Sequence, residues 1–259
     1  MIQEHDFFGK VCEFTMPSGY KVTIREQNGA DDDLLSNPSE AQDLTNLSRF
    51  IASIVVNTDY TKSGKLTIAD AKNLPILDRY CILFNSRIFS LGSELDFDYD
   101  WGKENGGKIT YAQDLEDFLF DYAVIPTDEE MDAKPDAIPF YPEGKNLANI
   151  PIKLDTGKEL LFDILNGNSE AYLVNLPLDK RTKNQELIAR NLRLKVNDNW
   201  EKVTNFAVFS VKEMMQIRKA VASMDPIFQG TTTIENPKTG QTTTISIVAM
   251  PGFFYPEEI

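Results

Sequence analysis

Two stretches decide the architecture: FTMPSGYKVTIREQNG, from Phe14 to Gly29, and IKLDTGKELLFDILNG, from Ile152 to Gly167. They align without a gap. Gly19 falls on Gly157 and Asn28-Gly29 falls on Asn166-Gly167, in each case 138 positions apart. Phe14, Met16, Val22 and Ile24 fall on Ile152, Leu154, Leu160 and Phe162. In each copy a short run of alternating apolar and polar residues meets a Ser-Gly or Thr-Gly pair, and a second alternating run ends at Asn-Gly. Alternation is the period of a half-buried strand and a turn glycine supplies positive φ, so each copy reads as a β-hairpin.

The correspondence continues outward. Arg49-Phe50-Ile51-Ala52 lies opposite Glu186-Leu187-Ile188-Ala189, and Leu66-Thr67-Ile68-Ala69-Asp70 opposite Phe209-Ser210-Val211-Lys212-Glu213. Thr67 and Ser210 are helix N-caps with capping-box acids three residues on. The first capped helix is predicted from about Ile68 towards Leu91, reset at Pro75 and ended by Gly92; the second runs from Val211 to Met224, where Asp225-Pro226 stops it. The pattern predicts an α+β fold of two related modules, residues 1–125 and 152–259, each a β-hairpin plus helices.

Two segments have no counterpart. Leu95, Phe97, Tyr99 and Trp101 alternate with Asp96, Asp98 and Asp100, and Lys108 to Tyr111 follow Asn105-Gly106-Gly107: an inserted hairpin, about residues 93–112, with an aromatic inner face. Residues 126–151 are acidic and proline-rich, which predicts an irregular connector. A third hairpin is expected from Thr231 to Ala249 around Lys238-Thr239-Gly240. The chain then reads Phe253-Phe254-Tyr255-Pro256, an extended aromatic segment suited either to the core or to anchoring a partner.

Forty acidic residues against 26 basic ones give a formal net charge of −14. Such a surface repels phosphate backbones and anionic lipid, which disfavours nucleic acid and membrane as partners. The densest basic stretch, Lys180 to Lys195, is interrupted by Leu187, Ile188, Leu192 and Leu194 and reads as an amphipathic surface helix and strand. The longest apolar run, Phe50 to Val56, is far short of the ~20 residues a spanning helix needs. Cys12 and Cys81 sit in apolar sequence, and the opening MIQEHDFFGK has no secretory character, so both are expected as buried thiols in a reducing cytoplasm.

Chemistry-bearing motifs are sparse. The single histidine, His5, leaves Ser-His-Asp and Cys-His sites unsupported, and neither a phosphate-binding glycine loop nor a zinc cluster is present in the sequence. Asp96, Asp98 and Asp100 have the ligand type for a hard cation, but Trp101 and Gly107 stand where an EF-hand loop needs glycine and glutamate, so a solvated strand face is the expectation. Asp31-Asp32-Asp33 is read as a solvated cap before a helix starting near Leu34. No cofactor and no small-molecule substrate are predicted.

PSGYKVTIREQNGADDD near the start, LDRYCILFNSRIFSLG in the middle and PKTG with FFYP at the end together resemble the baseplate-hub and tail-assembly proteins of contractile-tailed, T-even-like bacteriophages. Many members of that family carry paired Cys-x-x-Cys knuckles at the hairpin after this helix; the region Asp96 to Tyr111 has none, so the resemblance implies a hairpin held by aromatics instead. It further implies a non-enzymatic component of the tail or baseplate, made in the host cytoplasm, whose partners are hub, tube or tape-measure proteins. Phe253, Phe254, Tyr255, Trp101 and Tyr99 are the candidate partner-binding residues. The competing readings are a metal-dependent hydrolase built on the aspartate clusters and an acidic inhibitor of a host nucleic-acid enzyme.

Overall fold

A computed structural model describes residues 10–247 together with 253 and 254. The N-terminal copy of the repeat folds as β1 (Val11–Thr15) and β2 (Lys21–Arg25), antiparallel, with Phe14 opposite Val22 and Cys12 opposite Ile24. Gly19, at φ +82°, lets the turn close on the Met16 carbonyl. The helices α1 (Gly29–Leu35), α2 (Pro38–Ala41) and α3 (Thr45–Ile54) follow, and β3 (Val55–Thr58) returns antiparallel to β2. Next come α4 (Ile68–Asn73), capped by Thr67 with Asp70, and α5 (Ile76–Leu91), separated from it by Pro75 and stopped at Gly92. The inserted hairpin is β4 (Glu94–Asp100) on β5 (Lys108–Asp114), with Phe97 opposite Tyr111 and Tyr99 opposite Ile109.

Beyond a short helix, α6 (Asp128–Ala133), the C-terminal copy repeats the order. β6 (Ile150–Lys153) and β7 (Glu159–Phe162) pair around Gly157, at φ +85°, and lead into α7 (Gly167–Asn175) and α8 (Lys183–Ala189). β8 (Arg193–Val196) then pairs with β7 as β3 pairs with β2. An extra strand, β9 (Asn199–Lys202), widens this sheet to four strands before α9 (Val211–Met224), which Ser210 and Glu213 cap. β10 (Thr231–Glu235) and β11 (Thr242–Ser246) form the third hairpin; the expected strand residues 248 and 249 lie outside the described residues. The fold is α+β, with the expected hairpins and capped helices in place.

Asn-Gly plays another part than strand end. Asn28 and Asn166 are the N-caps of α1 and α7, their side chains accepting from the Ala30 and Ser169 backbone N–H groups. The helix expected near Leu34 therefore begins five residues earlier, at Gly29, and Asp31 is not solvated. It is buried, closes the capping box of α1 and takes both nitrogens of the Arg25 guanidinium, at 2.7 and 2.8 Å. Asp32 and Asp33 remain exposed, Asp32 in the same first turn, where the helix dipole favours negative charge.

The proline-rich connector is largely exposed but packed at a few residues. Ala137, Ile138 and Tyr141 are buried; the Ile138 N–H donates to the Phe118 carbonyl, the Tyr141 N–H to that of Pro17, and the Tyr141 hydroxyl accepts from Leu77 N–H. Ile138 and Tyr141 join the core, and Ile164 N–H of the C-terminal copy donates to the Leu147 carbonyl. The buried apolar residues of both modules belong to one contiguous core, from Met16, Ile24 and Phe50 through α5 to Phe162, Leu187 and Ile217. At the seam itself the backbone pairs directly, with Ile76 N–H donating to Leu165 O and Gly167 N–H to Leu74 O. No described helix is long and apolar enough to cross a membrane.

Candidate functional site

Helix α5 is buried on nearly every side, including its charged residues Asp78, Arg79 and Arg87. Its first turns stand at the seam, where two adjoining hollows open. One, about 240 Å³, lies between α5, α7, α8 and the segment 225–228; the other, about 150 Å³, lies between α5, the start of α3, α7 and Phe253–Phe254. Ile76, Tyr80 and Glu170 line both, so the hollows form one groove with Glu170 at its centre. A larger dip of about 320 Å³ beside β1 is walled by exposed Glu13, Lys21 and Asp121 and has no buried charged group in its lining.

The groove is apolar in its walls and ionic in its floor. Ile227 stands at its edge 71% exposed, and Leu178, just beyond α7, is 81% exposed. Beneath, Arg79 is buried and donates to the Ser48 hydroxyl and the Ala71 carbonyl, at 3.0 and 2.7 Å. Its Nε lies 3.7 Å from the Glu170 carboxylate, beyond hydrogen-bonding range. Arg190 is buried against Asp225 as an ion pair, and Asp225 also accepts from Leu165 N–H. Burial pulls the Arg190 guanidinium down to about 10, while Glu186 and Tyr141 oppose that shift only in part. Burial also raises the Glu170 carboxyl, against the pull of Arg79, and raises Tyr80 to about 12. The ionisable side chains of the lining are Arg79, Arg190, Glu170, Glu186, Asp225 and Tyr80, set among apolar ones.

The sequence-predicted site residues do not come together. Phe253 is fully buried, its ring 5.1 Å from Phe84 and 4.8 Å from Phe254. Phe254 is half-buried beside Phe50 and walls the smaller hollow; Tyr255 lies outside the described residues. Trp101 is also buried: its indole N–H donates to the Tyr111 hydroxyl, which donates in turn to the Glu235 carbonyl. Tyr99 packs edge-on against Trp101 and is half-buried. Phe253 and Trp101 are thus corrected from partner anchors to internal ones, because their apolar surface is already used in the fold. The aromatic face of the inserted hairpin docks on the C-terminal hairpin, where Asn236 also donates to Asn105 O.

Asp96, Asp98 and Asp100 line the exposed face of β4, where Asp98 is held by Lys108 at 2.6 Å and by the Thr110 hydroxyl. Among the described residues no three His, Cys, Asp or Glu side chains gather closely enough to hold a metal ion. Cys81 is a buried free thiol, whereas Cys12 is only half-buried. The residues that sequence reading missed are Arg79, Glu170, Arg190 and Asp225. A signal existed for Arg79: a charge inside a sixteen-residue helix that is apolar on several faces needs a buried partner. Compared with protein-family models, curated proteins and solved structures, the chain matches none.

Proposed function

We propose that this protein is a non-enzymatic structural or assembly component of a bacteriophage tail or baseplate, and that it works by binding other tail proteins. The observation that carries a binding role is the groove at the module seam: apolar walls with strongly exposed rim residues such as Ile227, over a floor of buried ion pairs. Apolar surface left open beside buried charge is characteristic of a surface awaiting a partner. The phage setting rests on the sequence resemblance. Its location is then the virion tail, after synthesis in the host cytoplasm.

Quantitative mass spectrometry of purified particles and of tail-assembly intermediates tests this reading. The protein is expected at a fixed copy number in one or the other. Its absence from both, in infected cells that make it, overturns the assignment.

A further inference from the structure

The groove also specifies the chemistry of its occupant. Glu170 sits where the two hollows meet, with no hydrogen-bond donor to its carboxylate among the described residues; its nearest cation, Arg79, is 3.7 Å away and already bonded to Ser48 and Ala71. Its side chain is 21% exposed, so water still reaches the carboxylate of the open groove. An occupant that covers the groove strips that water, which is costly for a carboxylate unless the occupant brings a charge-assisted hydrogen bond of its own. The ionic groups of the groove are two guanidiniums, Arg79 and Arg190, against three carboxylates, Glu170, Glu186 and Asp225. One negative charge is left over, on a chain whose formal net charge is −14.

We propose that the groove docks a basic amphipathic peptide segment of a partner protein, whose lysine or arginine donates to Glu170 while flanking apolar side chains fill the two hollows. Charge complementarity selects this occupant: an acidic segment meets the Glu170 carboxylate and the overall negative field, and a purely apolar one strips its water without supplying a donor. This inference names the partner chemistry of the site proposed above and rests on its reading as a binding surface. It does not depend on the phage assignment.

The test uses the full chain and a fluorescein-labelled helical peptide with leucines on one face and lysines beside them, compared with versions in which glutamine or glutamate replaces lysine. Binding is read by fluorescence anisotropy at one ionic strength. The lysine peptide is expected to bind most tightly, with the glutamine peptide weaker by roughly tenfold. Glu170→Gln should abolish that preference, whereas Glu129→Gln, a distant exposed acid in α6, should leave it intact. Ile227→Asp, at a position too exposed to threaten folding, should weaken the lysine peptide as well. Equal behaviour of the Glu170→Gln and Glu129→Gln variants would mean attraction to net charge alone and overturn the proposal, as would equal binding of the glutamate peptide. Sedimentation showing self-association that Ile227→Asp abolishes would assign the groove to a second copy and equally overturn it. Particle mass spectrometry is a separate readout, so loss of the tail reading and loss of the groove assignment remain distinguishable.

Discussion

Asp78 is the most constrained single residue. It is fully buried in α5 and accepts from the Ser18 backbone N–H at 3.0 Å and the Ser18 hydroxyl at 2.5 Å, pinning the turn of the first hairpin to the central helix. Burial raises its carboxyl to about 7, and the two Ser18 bonds offset only part of that. The folded state therefore holds a proton that the unfolded chain, near 3.8, has lost. Between those values the folded state binds more protons, so rising pH costs stability, at about 1 kcal/mol per pH unit; above the folded value the loss is complete and constant. Asp78→Asn keeps an acceptor for Ser18 N–H and carries no titrating proton. Urea unfolding of both proteins from pH 4 to 8 should show the variant gaining on the parent up to pH ~7 and then running parallel. Profiles parallel throughout would refute the linkage.

The repeat shows at the level of elements how one sequence signal serves two roles. Gly29 and Gly167 both follow an N-capping asparagine, yet a Cβ on Gly29 meets open space, whereas one on Gly167 lies 2.8 Å from the Arg79 guanidinium and 3.0 Å from the Lys72 carbonyl. Arg79 cannot retreat without breaking its bonds to Ser48 and Ala71. Gly29→Ala should be neutral or stabilising by up to about 1 kcal/mol, as for glycine replaced in an unstrained helix start. Gly167→Ala should cost about 1–3 kcal/mol through overpacking at the seam. Equal effects in chemical denaturation would count against the close approach of α7 to α4 and α5. The hairpins, both capped helices and the break at Pro75 were legible because alternation, turn glycine and capping boxes are local signals. The start of α1 was misplaced because Asn-Gly serves both a hairpin turn and a helix N-cap, and only side-chain geometry separates them.

For the whole molecule, the decisive fact is the single core. Ile138 and Tyr141 of the connector belong to it, and Phe253 adds its ring to Phe84 from the far end of the chain. Two modules with separate cores would melt separately; these share one and should unfold together. Calorimetry should give a single transition with matching calorimetric and van't Hoff enthalpies, and Phe253→Ala should destabilise by about 3–5 kcal/mol. Two resolved transitions, or a Phe253→Ala protein as stable as its parent, would refute the shared core.

The sequence by itself determined the repeat, the α+β class and the order of elements, since these rest on neighbours within a few residues. Tertiary structure alone decided that Ile138 and Tyr141 of the connector are buried, that Phe253 and Trp101 are internal anchors, and that Glu170 stands beside Arg79 in a groove between the modules. Each of those depends on groups far apart in the chain: Glu170 lies between Arg79 and Tyr80 of one module and its own helix in the other. A carboxylate's solvation is fixed by what packs around it, and sequence spacing carries no record of that.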